Sequence, residues 1–275
     1  MSPLIDADDL MALMREQTVR IVDAGWRLDG TDTQALFREA HIPGAVFFDL
    51  EAVSDPTSPL PHTLPDAAHF GRAMGALGLT DGDRIVVYET GPMFSAPRAW
   101  WVLKVFGAAQ VQVLNGGLDA WKQAGGPVES GDAQPLPARF DARLDRTAVA
   151  DIEAVRRALT EGTVPVLDAR GAIRFRGESA EPRPGVRPGH MPGARNLPYT
   201  ALVDEAGRLR GPADLATLFD TIGLDDAAVP ITTCGSGVTA AILVLALTVL
   251  GRSARLYDGS WAEWGSRSDT PIQTG

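Results

Sequence analysis

The chain repeats itself once, in order, at a spacing of about 145 residues. Val19-Arg-Ile-Val-Asp23 answers Val164-Pro-Val-Leu-Asp168, and His41-Ile-Pro-Gly-Ala45 answers His190-Met-Pro-Gly-Ala194. Arg84-Ile-Val-Val-Tyr-Glu89 answers Val229-Pro-Ile-Thr-Thr-Cys234, and Asn115-Gly-Gly-Leu-Asp-Ala-Trp121 answers Asp258-Gly-Ser-Trp-Ala-Glu-Trp264. A period this long is a duplicated domain, not a solenoid. Whatever one half folds into, the other must fold into as well.

Within each half, short β-branched runs alternate with helical patterns. Strands are predicted at 20–23, 84–88 and 110–114, then at 164–168, 230–233 and 254–257. Residues 94–106 and 238–250 read as buried helices after the central strand of each half, and Asp151 reads as a helix cap. Strands alternating with helices imply an α/β fold, a mostly parallel sheet flanked by helices. The Pro-, Gly- and charge-rich stretch near Gly125–Thr147 marks the connection. This gives a first domain at 1–130, a linker at 131–147 and a second domain at 148–275.

The net charge of −10 argues against nucleic acid or an anionic membrane as partner, since both require a basic face. The acidic N-terminus has no basic and apolar signal pattern. The longest apolar run, Val238–Leu250, is too short to span a bilayer. A lone cysteine makes no intrachain disulfide, which suits a reducing compartment. Together these read as a cytoplasmic protein.

That cysteine, Cys234, ends a predicted strand and is followed by Gly235-Ser236-Gly237-Val238-Thr239 and a helix. In parallel sheets, sites form at the carboxyl ends of strands. A glycine-rich loop entering a helix can aim several N–H groups at one point, which favours a thiolate. The pattern predicts an exposed, readily ionised nucleophile. Most lone cysteines are merely small buried hydrophobes, but these need no flanking glycines. The matching text in the first half is Glu89-Thr-Gly-Pro-Met-Phe-Ser-Ala-Pro-Arg98, bulkier and without cysteine, and no equivalent cradle is expected there. The histidines and the cysteine show no metal-ligand spacing, and no cofactor is indicated. His41 and His190 occur in both halves and read as structural turn residues.

These motifs resemble the tandem rhodanese-type sulfurtransferases over nearly the whole length. The resemblance rests on Arg38–Asp49, Thr57–His62, Phe94–Trp101, Asn115–Trp121, Arg174–Glu178, Glu181-Pro-Arg183, Gly189–Ala194, Cys234–Thr239 and Tyr257–Trp264. It implies two tandem rhodanese-like domains, the first catalytically inactive. The neutral loop is similar to that of the branch using 3-mercaptopyruvate; the thiosulfate branch usually carries basic residues there. The resemblance implies a Cys234 persulfide and assigns Arg174 and Arg183 to the donor carboxylate, a group that guanidinium forks hold well. Gly235, Gly237, Val238 and Thr239 complete the binding loop. The resemblance also implies a proton relay of Ser236, His62 and an acidic residue, whose position falls on Glu51. Glu51 departs from the family's aspartate, and Ile173 stands where a glycine often precedes the first arginine. The expected sulfur acceptor is a thiol, a thioredoxin-like protein or cyanide. Taken by residue type alone, the two arginines read equally as solvated side chains. Ser236 reads equally as a small loop residue, and His62 as a surface histidine.

Other functions stay in view. Thiosulfate is the alternative donor, and a non-catalytic sulfur-binding scaffold the bland alternative. A Cys-x5-Arg phosphatase needs arginine at position 240, which is Ala240. No Gly-x-Gly-x-x-Gly follows a first strand, which removes dinucleotide binding.

Overall fold

The computed structural model describes residues 2–275. The chain forms two compact units. The first takes the described residues through Pro56, then Leu64–Asp145 and Glu205–Leu209. The second takes Thr57–Thr63, Arg146–Asp204 and Arg210–Gly275. Two short segments are therefore exchanged between the halves of the sequence, and one of them carries His62.

The first unit runs β1 (Leu4–Ile5), α1 (Ala7–Glu16), β2 (Arg20–Asp23), α2 (Thr33–Glu39), β3 (Val46–Phe47) and α3 (Leu50–Val53). It continues with α4 (Ala67–Ala76), β4 (Arg84–Tyr88), α5 (Ala96–Val105), β5 (Gln110–Leu114) and α6 (Gly117–Gln123). Its sheet has the order β1-β5-β4-β2-β3, and every pair is parallel. Both faces are covered, so β4 carries consecutive buried residues, Ile85 to Tyr88, not an alternation. Residues 131–145 follow α6 within this unit. There Phe140 is buried, its ring edge-on to Phe70 at 5.5 Å.

The second unit runs β6 (Val149–Ala150), α7 (Ile152–Glu161), β7 (Val166–Asp168), α8 (Ala172–Phe175), β8 (Arg195–Asn196) and α9 (Tyr199–Leu202). Then come α10 (Pro212–Thr221), β9 (Ile231–Thr233), α11 (Ala240–Val249), β10 (Arg255–Tyr257) and α12 (Ser260–Ser266). The sheet order β6-β10-β9-β7-β8 repeats the first, again all parallel. Asp151 caps α7, its side chain accepting from Ala154 N at 2.8 Å. α11 is apolar all round and is buried from Ala240 to Leu247, as a central helix must be.

The duplication extends to side chains. Trp121 and Trp264 are both buried, and each indole donates to a proline carbonyl, Pro127 O at 2.6 Å and Pro271 O at 2.8 Å. His41 and His190 stack on Phe37 and Phe175 at 4.0 and 3.9 Å. Their Nδ1 atoms donate to the carbonyls of those same phenylalanines, at 2.7 and 2.8 Å. Both are packing residues that close a turn. Among the described residues, no helix is long and apolar enough to cross a membrane.

Candidate active site

β9 is the central strand of the second sheet, and Cys234 follows its last residue. The loop then turns at Gly237, φ +78°, and α11 begins at Ala240. Among the described residues, the N–H groups of Gly235, Ser236, Val238 and Thr239 donate to no protein acceptor. They stand beside the cysteine, where an anion can use them. Cys234 itself is 2% exposed, not the open thiol its loop position suggests. The Ser260–Trp261 turn explains part of this. Trp261 N donates to Cys234 O at 2.9 Å, and Ala262 N donates to Gly235 O at 2.9 Å.

His62 belongs to the same unit as Cys234. It is 3% exposed, with φ +60°, a left-handed conformation costly for a side-chain-bearing residue. Its Nδ1 lies 2.9 Å from Ser236 Oγ, and Arg183 Nη2 donates to that oxygen at 3.3 Å. Because the guanidinium can only donate, the serine hydroxyl is free to direct its proton to the imidazole. Ser236 and His62 are thus neither a bare loop filler nor a surface histidine.

Arg174, on α8, ion-pairs with Glu181 through Nη2 and Oε2. Its guanidinium lies over Gly235, where an added Cβ would stand 3.1 Å from Nη2. A glycine at 235 gives the arginine its space. Ile173 is exposed, and α8 forms regularly through it. Glu51 lies in the first unit, in the opening turn of α3, and accepts from Trp26 Nε1 at 2.9 Å. Val238 and Thr239 are buried side chains, so what they offer a ligand is backbone.

Behind Arg174 lies a network not assigned from the sequence. Glu181, 3% exposed at its side chain, also pairs with Arg170 at 2.9 Å. Arg170 is fully buried, holds Asp168 at 2.7 Å, donates to Gly189 O at 2.8 Å and lies 4.2 Å over the Trp261 ring. Burial opposes its charge, but Asp168 and Glu181 outweigh burial and raise its pKa above the ordinary arginine value. One difference between the halves signals this network: Asp168-Ala-Arg170 answers Asp23-Ala-Gly25. Only the half with the cysteine carries the arginine.

In the first half, Asp23 has no such arginine beside it. Burial pushes its carboxyl up to about 6, against hydrogen bonds from Gly25 N and Tyr88. The loop after β4 also departs from expectation. It does make a cradle, but the cradle is filled. The Glu89 carboxylate, 2% exposed, accepts from Phe94 N at 2.7 Å, Ser95 N at 3.0 Å and Ala96 N at 3.0 Å. Ser95 Oγ adds 3.0 Å and Arg27 Nη1 2.7 Å. A glutamate reaches back into its own loop, and the helix-terminal amides that could cradle an external anion bind it instead.

The description "Rhodanese-like domain" fits residues 6–124 and again 151–267. The chain is 43% identical to 3-mercaptopyruvate sulfurtransferase of Escherichia coli strain K12, covering 98% of this chain and 97% of that one. It is 38% identical to thiosulfate sulfurtransferase of Rattus norvegicus, covering 91% and 86%. The crystal structure of SseA, a 3-mercaptopyruvate sulfotransferase from Escherichia coli, superposes with a TM-score of 0.87 at 40% identity, covering 95% of this chain and 99% of that one. Two matched domains, two sheets of one topology and a single cysteine loop at the end of a central strand carry the same conclusion: the chain is a tandem-domain member of the rhodanese-like family and a sulfurtransferase enzyme.

Proposed function

We propose that the enzyme moves sulfur from 3-mercaptopyruvate to a thiol, a thioredoxin-like protein or cyanide through a persulfide on Cys234. The observation that carries this reading is the convergence of two guanidinium groups on a neutral loop, Arg174 over Gly235 and Arg183 on Ser236. Two forks suit a carboxylate with a carbonyl beside it. The close similarity to both mercaptopyruvate and thiosulfate enzymes leaves donor choice to these local groups.

In the reaction, the Cys234 thiolate attacks the donor sulfur. The new S–S bond takes up that sulfur, and the C–S bond breaks with its electron pair going to carbon as an enolate. A proton delivered to that carbon completes pyruvate. The 2.9 Å contact between Ser236 and His62 supports these two side chains as the groups that move it. The loop amides stabilise sulfur anions before and after transfer, with no reorganisation at the moment of reaction. The acceptor thiolate or cyanide then attacks the outer sulfur and regenerates the Cys234 thiolate. The kinetics are double-displacement. A lone cysteine serving as a persulfide carrier suits a reducing, cytoplasmic setting.

The test is a donor comparison with mass spectrometry of the intact protein. Mercaptopyruvate should add one sulfur at Cys234 and give the higher kcat/KM. A higher kcat/KM for thiosulfate would reassign the donor, and no sulfur on Cys234 from either donor would leave a binding scaffold.

A further inference from the structure

Ser260 has the other left-handed backbone among the described residues that bear a side chain, φ +49°, and is fully buried. Position 260 matches Gly117 in the first half. Gly117 has φ +57°, and a Cβ there would stand 2.2 Å from Glu89 O, so only glycine fits. The half with the nucleophile keeps the same backbone bend but places a serine in it, where glycine would adopt the bend without strain.

The hydroxyl shows what the serine does. Ser260 Oγ donates to Tyr257 O at 2.8 Å and accepts from Cys234 N at 3.4 Å. The next residue, Trp261, donates to Cys234 O at 2.9 Å. Cys234 is therefore held on both sides of its Cα by one turn. In the first half, Leu118 N donates to Glu89 O at 3.0 Å, but Gly117 has no side chain to reach Glu89 N. The carbonyl-side bond is common to both halves; the amide-side bond belongs to the half with the cysteine.

We propose that Ser260 is a positioning residue for the nucleophile, fixing the Cys234 backbone so that Sγ stays at the focus of the loop amides. This rests on the reading of Cys234 as the sulfur carrier. Preorganised electrostatic stabilisation depends steeply on distance, and a displacement of about 1 Å can cost on the order of 100-fold in rate. A 3.4 Å bond is a long one, so its loss should loosen the cysteine without unfolding the loop.

Single-turnover persulfide formation tests this in wild type, Ser260→Gly and Ser260→Ala at saturating mercaptopyruvate. Both variants should form persulfide about 10-fold more slowly than wild type, with KM within twofold. Ser260→Gly should melt above Ser260→Ala, because glycine alone relieves the left-handed strain. A purely structural serine would shift melting and leave the rate alone. Folded variants with rates within twofold of wild type overturn the proposal. Should Ser260→Ala fail to fold, Ser260→Gly decides by the same rate criterion. Absence of persulfide on wild-type Cys234 overturns the underlying nucleophile reading instead, so the two failures are distinct.

Discussion

Glu181→Gln removes one charge from the buried network and keeps its volume. Among the described residues, Glu181 is the only carboxylate shared by Arg170 and Arg174. Arg170 is fully buried at 2.9 Å from it, whereas Arg174 is 26% exposed. Two charges about 4 Å apart at an effective dielectric near 20 interact by about 4 kcal/mol. Breaking such a buried pair costs roughly 3–5 kcal/mol. Asp168 still neutralises Arg170, so the lower end is expected, about 3 kcal/mol, or a melting shift of roughly 10 °C. The functional effect runs through Arg174. Charge-assisted hydrogen bonds to a carboxylate contribute about 1.5–3 kcal/mol. Misplacing that fork should lower kcat/KM for mercaptopyruvate about 10- to 100-fold. On the proposed role of Arg174 in holding the donor carboxylate, away from the breaking bond, the loss should lie in KM. Steady-state kinetics at 20 °C with both donors, alongside thermal melts, measure this. Thiosulfate should lose less than about fivefold on the same arithmetic. A melting loss with an unchanged mercaptopyruvate KM would refute Arg174 as a donor-binding group held by Glu181.

Cys234→Ser should abolish transfer and sulfur loading while the melting temperature stays near that of wild type; substantial retained activity removes Cys234 from the mechanism. Arg183→Lys replaces a fork by a point charge and should reduce kcat/KM about 10-fold or more for mercaptopyruvate, with a smaller change for thiosulfate. Equal losses would take Arg183 off the carboxylate. Asp23→Asn should show a pH-dependent gain. The folded carboxyl titrates at about 6, above its unfolded value, so it favours the fold at low pH and withdraws that support as pH rises to 6. A shift of about two units corresponds to about 3 kcal/mol. Part of that is already lost below pH 4.5, so urea melts should show the variant gaining on wild type by about 2 kcal/mol between pH 4.5 and pH 7.5. A pH-independent difference would contradict the burial of that acid.

The duplication, a mostly parallel α/β organisation and the cysteine loop at a strand end were legible in the residues. Local information sufficed because β-branched runs, caps and glycine turns are short-range signals. The central strands at Arg20–Asp23, Arg84–Tyr88 and Gln110–Leu114 fall where the pattern placed them. The edge strands β1, β3, β6 and β8 were missed: each is two residues long, too short to show a period.

Tertiary structure decided what surrounds the sulfur. His62 lies 174 positions from Ser236 in sequence and meets it at 2.9 Å, because residues 57–63 fold with the second unit. Glu181 gained its role only when folding placed it between two arginines, and Glu89 only when its side chain turned back onto the amides of its own loop. Cys234 went from an apparently open thiol to a buried one for the same reason. Sequence patterns report the backbone states that neighbours along the chain prefer. Ion pairs, burial and proton paths depend on which distant groups share a space, and only the packed chain fixes that.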